Sequence, residues 1–152
     1  MNYFEALIHN EILMSALSGW FTAQILKTIL HCIVTKTFVA ERLVGTGGMP
    51  SSHSATVCAL ATATFINFGI SSVEFSISLV FAIVVMYDAL GVRRQAGKQA
   101  KVLNEMMELF NTMEKTMTAE ERLKEFVGHT PFQVLIGAII GIALAIFLCN
   151  VL

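Results

Sequence analysis

Four apolar segments, about Ile12–Val34, Ser54–Ile70, Phe75–Leu90 and Phe132–Leu152, fill most of this 152-residue chain. A helix needs about 20 such residues to cross a bilayer, and in hydrocarbon the backbone can satisfy its polar groups only within helices or closed barrels. The segments are too long for strands. Only 14% of residues are charged and 55% are hydrophobic, whereas soluble domains average roughly 25% and 45–50%. The sequence therefore predicts an all-α integral membrane helical bundle with about four transmembrane helices. The second and third segments are short and meet at a polar turn near 69–74, so they read as a helical hairpin that spans with help from flanking residues or as a partly re-entrant pair. No proline-rich or serine-rich linker divides the chain, so residues 1–152 read as a single membrane-embedded domain. The N-terminus carries Glu5 and Glu11, lacks a basic region and lacks a small-residue cleavage site, so it is expected to be retained rather than removed as a signal peptide.

With four crossings, segments 35–50 and 91–130 share one side, opposite both termini. Nine of the ten Lys and Arg residues fall there: Lys36, Arg42, Arg93, Arg94, Lys98, Lys101, Lys115, Arg122 and Lys124. The positive-inside rule makes that face cytoplasmic, which predicts a multi-pass protein of the cell membrane. A net charge of −1 argues against nucleic acid as a partner. Between 91 and 117, Val92, Ala96, Leu103, Met106, Met107, Phe110, Met113 and Met117 recur at helical spacing, giving an amphipathic helix on the cytoplasmic side. Thr118 with Glu121 reads as the capping box of a further short helix ending at Gly128, and Pro131 opens the last apolar helix. The three cysteines sit in apolar segments without metal spacing and read as buried small hydrophobes.

Three polar clusters interrupt this pattern on the cytoplasmic side. The first is GTGGMPSSHSA, 45–55. Gly45, Gly47 and Gly48 permit a positive φ and a close backbone approach, Pro50 is expected in the first helical turn, and the amides beyond it make an anion cradle. Ser51 and Ser52 add hydroxyls, either of which can instead cap the helix, and His53 is a candidate proton donor. The second cluster, YDALGVRRQAGKQA, supplies Arg93 and Arg94 as phosphate forks, or as topology signals, and Asp88 about one turn upstream. The third, GHTPFQVLIGAIIG, sets His129 before a helix with Gln133 one turn on; Gly137 and Gly141 fit helix packing. Lys27 completes the set. An ammonium in hydrocarbon costs at least ~2.5–3.5 kcal/mol unless paired or hydrated, so a role in binding is expected unless the segment ends earlier and the side chain snorkels.

Together AQILK (23–27), GGMPSSHSA (47–55), YDALGVRRQAGKQA (87–100) and GHTPFQVLIG (128–137) resemble a divergent branch of the type 2 phosphatidic acid phosphatases, membrane relatives of vanadium haloperoxidases and bacterial acid phosphatases. The resemblance covers nearly the whole chain. It implies that Ser51, Ser52, Gly48 and neighbouring amides hold a phosphoryl group and that His53 protonates the leaving oxygen. His129 would be the nucleophile forming a phosphohistidine, and Lys27 would bind phosphate oxygens with Arg93 or Arg94. No metal and no cofactor is implied, because cationic side chains supply the charge. The implied substrate is a lipid phosphate or diphosphate.

The sequence departs from that pattern in three places. Gln133 stands where a carboxylate follows the nucleophilic histidine, and an acid-to-amide change in a comparable triad costs about 10⁴ in rate. Asp88 would substitute if the fold carried it to His129. Leu123, flanked by Arg122 and Lys124, occupies the position of an arginine, and Ser52 replaces a glycine. The alternative function is a non-catalytic membrane protein binding anionic headgroups or a protein partner through the same basic face. Haloperoxidase chemistry finds no support in an apolar bundle. Membrane lipids are expected partners, and a homodimer fits so thin a bundle around a polar pocket.

Overall fold

A computed structural model describes residues 2–43, 45, 47–113 and 128–151. Its helices are α1 (Tyr3–Ile8), α2 (Glu11–Thr35), α3 (Ser52–Phe68), α4 (Val73–Leu90), α5 (Val92–Met113) and α6 (Pro131–Val151), with one 3-10 turn at Ala40–Leu43. No strand occurs among the described residues. Local chemistry sets the boundaries. The Asn10 side chain accepts from the Leu13 amide at 3.0 Å to start α2, and Ser72 does the same for α4 with Phe75 at 3.1 Å. Gly69, at φ 81°, ends α3.

The bundle is built around α3, which packs against α2, α4 and α6. Its buried face is made of small residues, Ala55, Ala59 and Ala63, each 0% exposed. A Cβ on Gly137 would stand 2.3 Å from the Ser51 carbonyl oxygen, and one on Gly141 would stand 2.1 Å from that of Ala55. The packing role expected for these glycines therefore holds: α6 lies directly on the α3 backbone. Large apolar side chains such as Phe21, Phe81 and Phe147 point outward instead. This inversion is the membrane pattern, in which lipid is as apolar as the core and association relies on close contact between small residues.

The integral membrane bundle expected from the sequence stands. Three helical stretches are long and apolar enough to cross: Glu11–Thr35, Val73–Leu109 and Pro131–Val151. The fourth expected segment, α3, has 17 residues and reaches about 25 Å at 1.5 Å per residue, the lower end of the range of about 17–25 residues for a spanning helix.

Long-range contacts define two ends. Cys149 Sγ lies 3.9 Å from both Ser15 Oγ and Asn67 Nδ2, which joins the start of α2 to the ends of α3 and α6. At the other end Lys27 of α2 meets Ser52 of α3, and the His129 amide before α6 donates to Ala89 of α4 at 3.1 Å. Lys36, Arg93, Arg94, Lys98 and Lys101 belong to this second end, as the charge distribution predicts. The amphipathic helix is α5, with exposed Val102, Leu103, Met106 and Met107. The short helix expected at 118–128 falls, except for Gly128, outside the described residues, as do Lys115, Arg122, Leu123 and Lys124.

Candidate functional site

The first turn of α3 forms one wall of a polar cluster. Ser51 is the N-cap: its hydroxyl accepts from the Ser54 amide at 3.3 Å and from the Ser54 hydroxyl at 3.0 Å. Its own amide donates to the Gln133 carbonyl at 3.1 Å. Ser51 is thus held by the fold on both sides, and the capping function left open by the sequence belongs to it. Pro50 precedes the cap instead of entering the first helical turn, because Ser51 takes the capping position and the helix opens at Ser52. Ser52 places its Oγ 3.5 Å from Lys27 Nζ.

Lys27 is 3% exposed, so its charge is removed from solvent. Its ammonium donates to Gln24 Oε1 at 2.7 Å and to the Gly45 carbonyl at 3.4 Å. The stem passes Gly48, where φ is +81° and an added Cβ would sit 3.4 Å from Lys27 Cγ. That backbone conformation favours glycine. From Lys27 a cavity of about 230 Å³ runs along α2, lined by Leu30, His31 and Val34 with Gly48 and Met49.

Across the cluster, Arg93 links two expected residues. Its Nε donates to Asp88 Oδ2 at 2.5 Å and its Nη1 lies 3.3 Å from His53 Nε2. A guanidinium has donors only, so His53 Nε2 accepts. The other ring nitrogen, Nδ1, is buried and has no hydrogen-bond partner among the described residues. Asp88 accordingly orients Arg93 beside His53, and the partner expected of it, His129, is engaged elsewhere. Arg94 is exposed. What it contributes is backbone: a Cβ on Gly128, at φ +98°, would meet the Arg94 nitrogen at 2.4 Å.

His129 is 4% exposed, and its ring centroid lies 6.4 Å from that of His53 with the planes tilted by 56°. Its Nδ1 is 3.3 Å from Gln133 Oε1. Burial pushes its imidazole below the ordinary histidine range; the Gln133 hydrogen bond opposes this, the Lys27 and His53 charges reinforce it, and a backbone hydrogen bond to Gly48 opposes it. Gln133 is itself fixed. Its Oε1 accepts from the Thr130 amide at 3.0 Å while its own amide donates to Thr130 Oγ1 at 3.4 Å. This is a capping box, spelled T-P-F-Q in the sequence, and Thr130 is the residue that sequence reasoning missed.

Lys27, Ser52, His53, Arg93 and His129 therefore converge, with Gly48 alongside, while Ser51 and Asp88 support them and Arg94 stands outside. The N-termini of α3 and α6 also meet here, and each contributes roughly +0.5 of a charge through its backbone dipoles. Such a surface can hold a tetrahedral oxyanion between two histidines. Among the described residues, no group of three or more His, Cys, Asp or Glu side chains is placed to hold a metal ion.

"Uncharacterized membrane protein YuiD" of Bacillus subtilis (strain 168) is 38% identical over 151 residues, covering 93% of this chain and 96% of that protein. No solved structure matches. Residues 8–144 match the Divergent PAP2 family, a span that includes every residue of the cluster. The chain belongs to the Divergent PAP2 family.

Proposed function

We propose that this protein is an integral membrane phosphatase that hydrolyses a lipid phosphate or diphosphate, without a metal, through a phosphohistidine. The observation that carries the proposal is the pair of histidine rings 6.4 Å apart, with Lys27, Ser52 and Arg93 around the space they face. His129 Nε2 attacks phosphorus, the bond from phosphorus to the ester oxygen breaks, and protonated His53 gives its proton to that oxygen. Water then attacks the phosphohistidine, His53 takes a proton from it, and inorganic phosphate leaves with His129 restored. Lys27, Arg93 and Ser52 stabilise the oxygens on which charge develops. Protonation of His53 requires Arg93 to exchange its contact with the ring for a phosphate oxygen, since guanidinium and imidazolium are both donors only.

The cavity along α2 begins at Lys27 and is lined largely by apolar side chains, which supports an amphiphilic leaving group. The cationic residues at the same end support a site at the cytoplasmic leaflet. Purified protein in vesicles containing phosphatidic acid, phosphatidylglycerol phosphate or a polyprenyl phosphate tests the assignment. Phosphate release and an acid-labile phosphoenzyme are expected, and both vanish in His129→Ala. Full activity in His129→Ala and in His53→Ala would sink it.

One observation favours a second function, a non-catalytic receptor for anionic headgroups: Gln133, which is neutral, is the side chain bound to His129 Nδ1. Vanadate binding without turnover, in the wild type and in Gln133→Glu alike, would select this alternative.

A further inference from the structure

We infer that the Thr130–Gln133 capping box fixes the tautomer of His129, so that a neutral amide performs the orienting part of a carboxylate's task and Thr130 is a positioning residue. The inference deepens the phosphatase reading and rests on His129 being the nucleophile.

An amide side chain is ambiguous by itself, because its oxygen accepts and its nitrogen donates. A glutamine facing histidine could therefore stabilise either tautomer. Here the ambiguity is removed by the backbone. The Thr130 N–H can only donate, and it donates to the Gln133 side chain at 3.0 Å, so the atom at that position is the oxygen. The same oxygen stands 3.3 Å from His129 Nδ1, which must then carry a proton. In the neutral ring Nε2 is left with its lone pair. Free histidine prefers the opposite tautomer, with the proton on Nε2, so the protein reverses an intrinsic preference.

The reciprocal bond, from the Gln133 amide to Thr130 Oγ1 at 3.4 Å, keeps both partners in the first turn of α6. The Gln133 carbonyl is held as well, by the Ser51 amide at 3.1 Å. Gln133 is consequently anchored through its backbone N–H, its backbone carbonyl and its side-chain oxygen. A glutamate at this position would accept from the same two donors and add a negative charge; the glutamine keeps the geometry and omits the charge.

The test is ¹⁵N NMR of histidine-labelled full-length protein in detergent micelles, above the pH range in which imidazole titrates, with His129 assigned by the loss of its signals in His129→Ala. The expected result is a protonated Nδ1 and an unprotonated Nε2 in the wild type, retained in Gln133→Glu and lost in the isosteric Gln133→Met, where the proton moves to Nε2. A wild type carrying its proton on Nε2 would overturn the inference without any variant, and so would an unchanged tautomer in a folded Gln133→Met. Failure of the phosphatase reading is seen separately: Nδ1–H present, with no phosphohistidine trapped on any lipid phosphate, leaves the tautomer assignment standing and removes the nucleophile.

Discussion

The two ends of the bundle differ in the polar residues they hold and in how far those residues reach. At the end where Ser15, Asn67 and Cys149 meet, the contacts between helices are 3.9 Å approaches to Cys149 Sγ, and the amides turn back on their own helices: Asn67 Nδ2 donates to the Ala63 carbonyl at 3.0 Å and Asn150 Nδ2 to that of Ile146 at 2.6 Å. At the end where Lys27 and His129 meet, local bonds such as Lys27 to Gln24 and His129 to Gln133 are joined by links from distant parts of the chain: Lys27 lies 3.5 Å from Ser52 Oγ, and Arg93 reaches a histidine 40 positions away. Polar residues in a membrane helix are satisfied most simply by the preceding turn. Where a protein assembles them across helices instead, buried and cationic, the arrangement serves something beyond the stability of each helix.

If that contrast is correct, substitutions at the two ends should separate activity from stability. The largest effect is expected for His129→Ala, which should lower phosphate release by about 10³-fold or more while the protein remains monodisperse; unchanged turnover would erase the functional distinction between the ends. Next comes Lys27→Met. Loss of a charge-assisted contact worth about 1.5–3 kcal/mol should weaken inhibition by vanadate about 10- to 100-fold, measured as the shift in its inhibition constant.

Between the ends, Gly141→Val forces side-chain atoms against the Ala55 backbone and should destabilise the bundle by about 1–3 kcal/mol or more, read as a lower Tm with activity lost in parallel. A specific loss of activity at unchanged Tm would mean that α6 does not hold the ends together in this way.

A smaller effect follows from the buried His129. Burial lowers its pKa in the folded state, below an unfolded value of about 6.5, so the unfolded chain binds the extra proton first. The corresponding stability is present above about pH 6.5 and is lost as pH falls through the folded value. Tm should decline on that acid limb in the wild type and decline less in His129→Ala. The same shift keeps the nucleophile neutral, so activity should persist somewhat below the ordinary histidine range. The smallest effect belongs to Asn67→Leu at the far end, expected within about 0.5 kcal/mol and with unchanged phosphate release.

Much of this contrast could be read from residue order. Nine of ten basic residues in two segments located the site end, and Lys27, His53, Arg93 and His129 were recognisable because each departs from the apolar pattern around it. What could not be read depended on rotation and contact between helices. Asp88 and Arg93 lie on opposite sides of Gly91, and only the break there shows that their pairing takes Asp88 to His53 rather than His129. Ser51 and Ser52 are adjacent and chemically equal; the cap geometry alone assigns one to the fold and leaves the other beside Lys27. Thr130 was missed for a different reason: its signal was local, a T-x-x-Q spacing, overshadowed by the histidine beside it.

The close approach of Gly128 to the backbone of Arg93 and Arg94 has a mechanical consequence. With the His129 amide held by Ala89, the approach to α6 is seated on the junction between α4 and α5, so a displacement of that junction carries His129 and Arg93 together. Because the Ser51 amide also holds the Gln133 carbonyl and Arg93 reaches His53, the first turn of α3 is tied to the same seat, and both histidines are carried in one frame.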